Sequence, residues 1–236
     1  MRDNIKGVAF DLDGTLYPNY RLHFRLLPFA LKEFRLLSAF GRARNIIREE
    51  MEQKFRNGHS DSGQLLVQEG GFYAYQAEKT AKLLSVKSDQ LKEKIDRLIY
   101  NGWTPIFKKV KVFKEVPHTL ETLRKAGLKL GLLSDFPPEE KLKNLGIDGY
   151  WDCIHCSERC GALKPYPLSF QKLALAMELP PENILYVGNS HPYDVIGAAR
   201  AGMKTAWIKP VLSPGKKPAP DFSFTNYRQF LKFMIL

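Results

Sequence analysis

The chain has 236 residues, a length that, at about 150 residues per domain, suits one large domain or a core carrying a smaller module. Hydrophobic residues make up 44% and charged residues 26%, the balance of a soluble globular chain rather than of a disordered, collagen-like or low-complexity one. The formal net charge is +11 at pH 7; such an excess attracts phosphorylated metabolites, nucleic acid or acidic lipid without naming one, or merely solvates the surface, which is the preferred reading.

In chain order, residues 5–11 form a short apolar run broken by Gly14 and read as a buried strand ending in carboxylates. The opening MRDNIKGVAFDLDG has an acid at Asp3 and lacks the long apolar region of a secretory signal, so a cytoplasmic location is expected. No uncharged apolar run approaches the ~18 residues of a membrane helix, and no membrane partner is expected. From about Tyr20 to Trp103 the spacing turns helical, with Leu26, Phe29, Leu31, Phe34 and Leu37 interleaved with basic residues. Pro28 either kinks this first helix or marks its true start. Further helices are expected over 45–55, over 65–84 with Gly70 and Gly71 as an interruption, and over 88–100. Arg21, Arg25, Lys32, Arg35, Arg42, Arg44 and Arg48 crowd the first two helices. They either attract anionic substrates or form a solvated helix face, and the solvated face is the preferred reading. Phe72, Tyr73 and Tyr75 belong either on a loop facing a site or in the core of the helical segment.

From Val112 onward strands and helices alternate. The pattern predicts helices over 117–125, 139–145, 168–178 and 195–201, and strands over 128–134, 151–157, 184–187 and 205–208. A proline-rich surface loop over 210–220 precedes a last strand and a helix over 227–234. Alternation of this kind implies right-handed crossovers and a parallel sheet covered on both faces. The fold class is therefore α/β, a Rossmann-like core over 1–17 and 104–236 interrupted by an all-helical insertion over 18–103.

Three strand ends carry polar residues able to meet at one point. The first supplies Asp11, Asp13 and Thr15, the second Ser134 and Asp135, and the fourth Gly188, Asn189, Ser190 and Asp194, while Lys164 enters from the loop after the third. In open α/β sheets ligands bind beyond the carboxyl ends of the strands. Two carboxylates two residues apart, a hydroxyl, a lysine and a further carboxylate suit magnesium and a phosphate: Mg²⁺ takes oxygen ligands, and a lysine offsets phosphoryl charge. Taken singly, Asp11 reads as a helix cap, Asp13 with Gly14 as a turn, Ser134 as a strand-ending cap and Lys164 as a solvated lysine. Their joint placement is what points to chemistry. Cys153, His155, Cys156 and Cys160 superficially resemble a zinc cluster, but alternate residues of one strand point to opposite faces and cannot close a tetrahedron.

The segments FDLDGTLYP, LGLLSDFP, GALKPYP and VGNSHPYDVIGAARAGM stand at these strand ends in the order found in the haloacid dehalogenase (HAD) superfamily. The chain resembles the phosphatase branch of that superfamily, with a small helical cap inserted after the first motif. The resemblance implies a Mg²⁺-dependent phosphatase that hydrolyses a small phosphorylated metabolite through an aspartyl-phosphate intermediate. Asp11 would be the nucleophile and Asp13 the general acid and base, with its backbone carbonyl on the metal. Ser134, Asp135, Lys164 and Thr15 would hold the phosphate, and Asp11, Asp13, Asn189 and Asp194 the metal. Asn189 departs from the pattern, which has an acid there: the amide keeps an oxygen donor but brings no charge. A dehalogenase shares fold and nucleophile, but dehalogenases of this superfamily need no metal and lack an acid at the position of Asp13. A catalytically silent anion-binding or nucleic-acid-binding protein is the other competitor, supported by the positive charge and by Asn189, although a nucleic-acid partner is not expected.

Overall fold

Gly7–Phe10 (β1) is a short run of small and apolar residues buried on both faces, as a central strand of a parallel sheet must be. In the computed structural model, which describes residues 4–58 and 71–235, β1 lies between β2 (Lys129–Ser134) and β4 (Ile184–Gly188). Outside β2 lies β3 (Cys153–Cys156), and outside β4 lie β5 (Lys204–Ile208) and then β6 (Phe222–Phe224). The six-stranded sheet thus runs β3-β2-β1-β4-β5-β6 with every pair parallel. The order reverses at β1, so crossovers leave it in opposite directions and open a crevice at the carboxyl ends of β1 and β4.

Successive side chains of each strand serve opposite faces. Val8, Phe10, Leu130, Leu132, Leu185 and Val187 pack against α5 (Val116–Lys125), α6 (Glu139–Leu145) and α9 (Tyr227–Ile235) through Leu120, Leu123, Leu142 and Phe230. Ala9, Leu133, Ile184 and Tyr186 pack on the other side against α7 (Pro167–Ala176) and α8 (Ile196–Arg200) through Phe170, Leu173 and Ala198.

Among the described residues, four α-helices precede α5 in the connection from β1 to β2 and form the insertion: α1 (Asn19–Lys32), α2 (Phe34–Arg56), α3 (Gly71–Leu84) and α4 (Ser88–Ile95). Their boundaries differ from those expected. The segment over 45–55 is part of a 23-residue helix that begins at Phe34 and runs through Gly41, and the chain breaks at Glu33 instead. Gly41 faces open space, so its presence costs about 1 kcal/mol of helix propensity and no packing. Pro28 lies inside α1 and does not start it. Residues 65–70 of the next expected helix, Gly70 among them, lie outside the described residues. The helix after that gives way to a π turn at Asp96–Asn101 and, unanticipated, a 3-10 turn at Thr104–Lys109.

Leu36, Phe40, Ala77, Ala81, Leu91 and Ile95 give the insertion its own core. Ile47, Met51 and Phe72 pack on Ala162, Leu163 and Tyr166 of the sheet domain, so Phe72 belongs to packing. The expected apolar set of the first helix divides: Leu26 is buried and Phe29 partly so, whereas Leu31 and Phe34 are exposed. Five residues along a helix turn a side chain by about 140°, so Leu26 and Leu31 cannot share a face, and Phe34 stands beyond the break at Glu33. Among the described residues no helix is long and apolar enough to cross a membrane.

Candidate active site

Asp11 extends the β1 ladder by one residue, its N–H donating to Val187 O at 2.9 Å. The chain then turns tightly through Gly14 at φ +92°, and a side chain there would meet Asn189 Nδ2 at 2.3 Å. The turn brings Thr15 back so that its hydroxyl donates to Asp11 Oδ2 at 2.7 Å. Asp11 Oδ1 lies 2.6 Å from Lys164 Nζ, which also reaches Asp194 Oδ1 at 2.7 Å and Tyr186 OH at 3.2 Å. Asp194 approaches because residue 188 is glycine: a Cβ there would fall 2.3 Å from that of Asp194. Asp194 Oδ2 accepts from Ser190 N at 2.9 Å. Asp11, Thr15, Ser134, Lys164 and Asp194 are all buried.

Burial pushes the Asp11 carboxyl up to about 7, against the pull of Lys164 and with the help of nearby Asp194 and Asp13. Burial by itself would lower the Lys164 ammonium, but Asp11 and Asp194 hold it well above the ordinary lysine value. A fixed cation thus stands beside a carboxylate held out of water. The Ser134 hydroxyl, buried at the end of β2, has no hydrogen-bond partner among the described residues, a costly arrangement that an incoming acceptor oxygen would relieve.

Asp13 lies two residues beyond Asp11, its carboxylate accepting from the Tyr17 hydroxyl and from Lys141 Nζ at 2.8 Å. Lys141, on α6, sits 5.2 Å from the ring centres of both Phe107 and Phe136. Nothing in the sequence around Lys141 had marked it.

The sequence reading made Asp135 a phosphate-binding residue. Here its Oδ1 accepts from Lys164 N at 3.1 Å, and its Oδ2 from Arg44 Nη2 at 3.1 Å and Arg48 Nη2 at 2.9 Å. Burial opposes the charge, but Arg44, Arg48 and Lys164 outweigh it and hold the carboxyl below its ordinary value. An anion so engaged repels phosphate, and in this structure the Asp135 side chain anchors Arg44, Arg48 and the Lys164 main chain.

The same contacts overturn the solvated-face reading for two of the arginines. Arg25, Lys32, Arg35 and Arg42 are exposed, but Arg44 is buried: it pairs with Glu158 and Asp135, donates to Gln76 Oε1 at 2.9 Å and lies 4.2 Å over the Phe136 ring. Arg48 spans Asp135, the Lys164 carbonyl (Nε to O, 2.9 Å) and the Tyr193 ring at 4.5 Å. Glu52 takes Arg200 in a paired contact of 2.7 and 3.0 Å. Arg44, Arg48 and Glu52 are four residues apart, so one charged stripe of α2 fastens the insertion to the loops that follow β2, β3 and β4. A cavity of 620 Å³ between α1 and α2 and one of 440 Å³ beside Lys141 share Trp103 and Phe136 as walls. Tyr73 lines the second of these.

Thr15 Oγ1 also lies 3.3 Å from Asn189 Oδ1. One hydroxyl hydrogen cannot serve both that oxygen and Asp11 Oδ2, which leaves acceptor capacity in excess between them. Together with the Asp13 carbonyl, these oxygens have the chemistry of a Mg²⁺ ligand set, with Asp11 its one negatively charged member. Asp194 is turned toward Lys164. Among the described residues no group of three or more His, Cys, Asp or Glu side chains is arranged to hold a metal ion, and a magnesium set here would rely in part on an amide and a backbone oxygen. Of the cysteine cluster, His155 Nδ1 lies 3.8 Å from Cys160 Sγ, while Cys156 Sγ donates to Asp135 O.

A family model described as a haloacid dehalogenase-like hydrolase matches residues 5–202. The chain is 26% identical to a glyceraldehyde 3-phosphate phosphatase of Pyrococcus furiosus, over 96% of this chain and 88% of that protein. It is 27% identical to haloacetate dehalogenase H-2 of a Moraxella species, over 86% of this chain and 85% of that one. Among solved structures, a HAD phosphatase from Thermococcus onnurineus superposes with a TM-score of 0.62 at 26% identity, covering 98% of each chain.

Proposed function

The chain belongs to the haloacid dehalogenase-like hydrolases, and from that premise we propose that it hydrolyses a small soluble phosphomonoester through an aspartyl-phosphate formed on Asp11. The observation that carries this reading is the buried Asp11 carboxylate, held 2.6 Å from Lys164 Nζ with the Ser134 hydroxyl, unpartnered among the described residues, at the neighbouring strand end. Asp11 attacks phosphorus as the bond from phosphorus to the ester oxygen breaks, and the leaving alkoxide takes a proton from Asp13. Asp13, now ionised, removes a proton from water, which attacks the phosphorus of the aspartyl-phosphate and returns Asp11 as a carboxylate. Lys164 offsets charge on Asp11 and on the phosphoryl oxygens, and Ser134 donates to one of them. Magnesium, when bound between Asp11, the Asp13 carbonyl and Asn189, would neutralise phosphoryl charge and hold nucleophile and phosphorus in line. The glyceraldehyde 3-phosphate phosphatase relative supports a small phosphorylated metabolite as substrate.

Asp13 also favours ester over carbon–halogen cleavage, because a departing halide needs no proton whereas an alkoxide does. Asp13→Asn should therefore slow hydrolysis of alkyl phosphates ~10²-fold or more while sparing aryl phosphates with acidic leaving groups. Rates across a series of phenyl phosphates test this. Equal losses for good and poor leaving groups would remove the acid role.

The helices over 18–103 serve, in this reading, as a cap that shields the site from water and meets the leaving group. Asn189 makes the metal set weakly charged, so half-saturation should need millimolar magnesium, and Asn189→Asp should lower it ~10-fold. Initial rates over a magnesium titration measure the shift. An unchanged half-saturation places Asn189 outside the ligand set.

A further inference from the structure

Helix α1 is apolar on two opposite faces. Leu22, Leu26 and, in part, Phe29 pack on the sheet domain. Tyr20, Phe24, Leu27 and Leu31, at i, i+4, i+7 and i+11, are 67%, 77%, 51% and 73% exposed, and Phe34 at the start of α2 extends the row at 68%. At 100° per residue this row lies roughly 180° from Leu22 and Phe29. Single exposed leucines are ordinary, but five large apolar side chains in one continuous row form a patch.

The flank of the row is basic. Arg21, Arg25 and Lys32 run beside it at roughly 100–140° around the helix, with Arg35 following in α2. Residues 19–32 contain no acid, and Glu33 is already paired with Lys94 at 2.8 Å.

We propose that α1 is a docking surface for an anionic lipid bilayer. It would lie in the plane of the interface, with Phe24, Leu27 and Leu31 among the acyl chains and the basic flank at headgroup level. An amphipathic helix with large apolar side chains on one face and arginine or lysine beside them has that affinity. The basic flank runs along one side of the row. A second copy meets it poorly: antiparallel two-fold pairing lays the two basic rows side by side, and parallel pairing sets each against His23 and Ala30, with no acid to answer it in either case. A negatively charged bilayer complements both the apolar row and its flank, and the overall charge of +11 adds a long-range pull. The proposal stands apart from the phosphate chemistry. It departs from the sequence expectation of no membrane partner, which considered only spanning segments.

The test is flotation of the full chain with vesicles of phosphatidylcholine alone and of an equimolar mixture with phosphatidylglycerol, with oligomeric state followed by light scattering. The protein should float with the anionic vesicles and not with the neutral ones. The Phe24→Ser/Leu31→Ser variant and the Arg25→Glu/Lys32→Glu variant should each lower partitioning ~10-fold or more, with circular dichroism unchanged. No flotation overturns the proposal. So does equal flotation of the serine variant, which would reduce the effect to general charge attraction, and so does a lipid-free dimer that the serine variant splits, which would make a second copy the occupant.

Discussion

Asp11→Asn should lower phosphomonoester hydrolysis ~10³-fold or more and leave the protein at least as stable as its parent. The two halves follow from different properties of one side chain. Activity fails because an amide cannot form the acyl phosphate. Stability survives because the carboxylate is held at a cost: its pKa is about 7 in the fold against 3.8 ordinarily. A raised folded-state value means that, between those limits, the native protein keeps a proton that the unfolded chain releases, so stability falls as pH rises through that window. Asparagine carries no such charge, and the dependence should flatten in the variant. Thermal melts of parent and variant across that range, without added metal, combined with initial rates, check both. Appreciable residual turnover removes Asp11 as nucleophile, and a large loss of stability would make its role structural.

The largest expected loss of stability lies at Arg44. Its guanidinium is buried with Glu158, Asp135 and Gln76, and Glu158 Oε2 already has no partner among the described residues. Burial raises the Glu158 carboxyl and Arg44 opposes that shift. Arg44→Met would leave a buried, unpaired acid and should cost about 3–5 kcal/mol. The Arg44→Met/Glu158→Gln pair should recover at least half of that, because the stranded charge is gone. Urea unfolding of the parent, of Arg44→Met, of Glu158→Gln alone and of the pair measures it. A loss below about 1 kcal/mol for Arg44→Met, or no recovery in the pair, contradicts this account of the network.

These two sites differ in how far the sequence revealed them. Asp11, Asp13 and Ser134 stand at or just beyond the ends of apolar runs, and Lys164 and Asp194 follow the third and fourth of those runs, so strand periodicity and the reversal of strand order direct them to one end of the sheet. The ion pairs of Arg44 and Arg48 join α2 to Asp135 and Glu158 roughly 90 or more residues away, and basic residues one turn apart look the same along the chain whether water or carboxylates face them. Lys141 is equally silent, since its place depends on how α6 docks beside Phe107 and Phe136. The continuity of α2 from Phe34 through the expected start at residue 45 reflects packing: Leu36 and Phe40 join the core of the insertion, so the helix runs on across Gly41 despite the low intrinsic propensity of glycine. The double apolar face of α1 was hidden for a related reason. Leucines and phenylalanines were counted toward one stripe when their spacing makes two.

The covalent step is the centre of the account, and one measurement reaches it directly: acid-quenching the enzyme during turnover of a phosphomonoester with magnesium present and weighing the peptide that contains Asp11. The account predicts a peptide heavier by one phosphoryl group, located on Asp11, lost on treatment with hydroxylamine and absent from Asp11→Asn. Phosphate release with that peptide unmodified, or with the adduct on another residue, would contradict it.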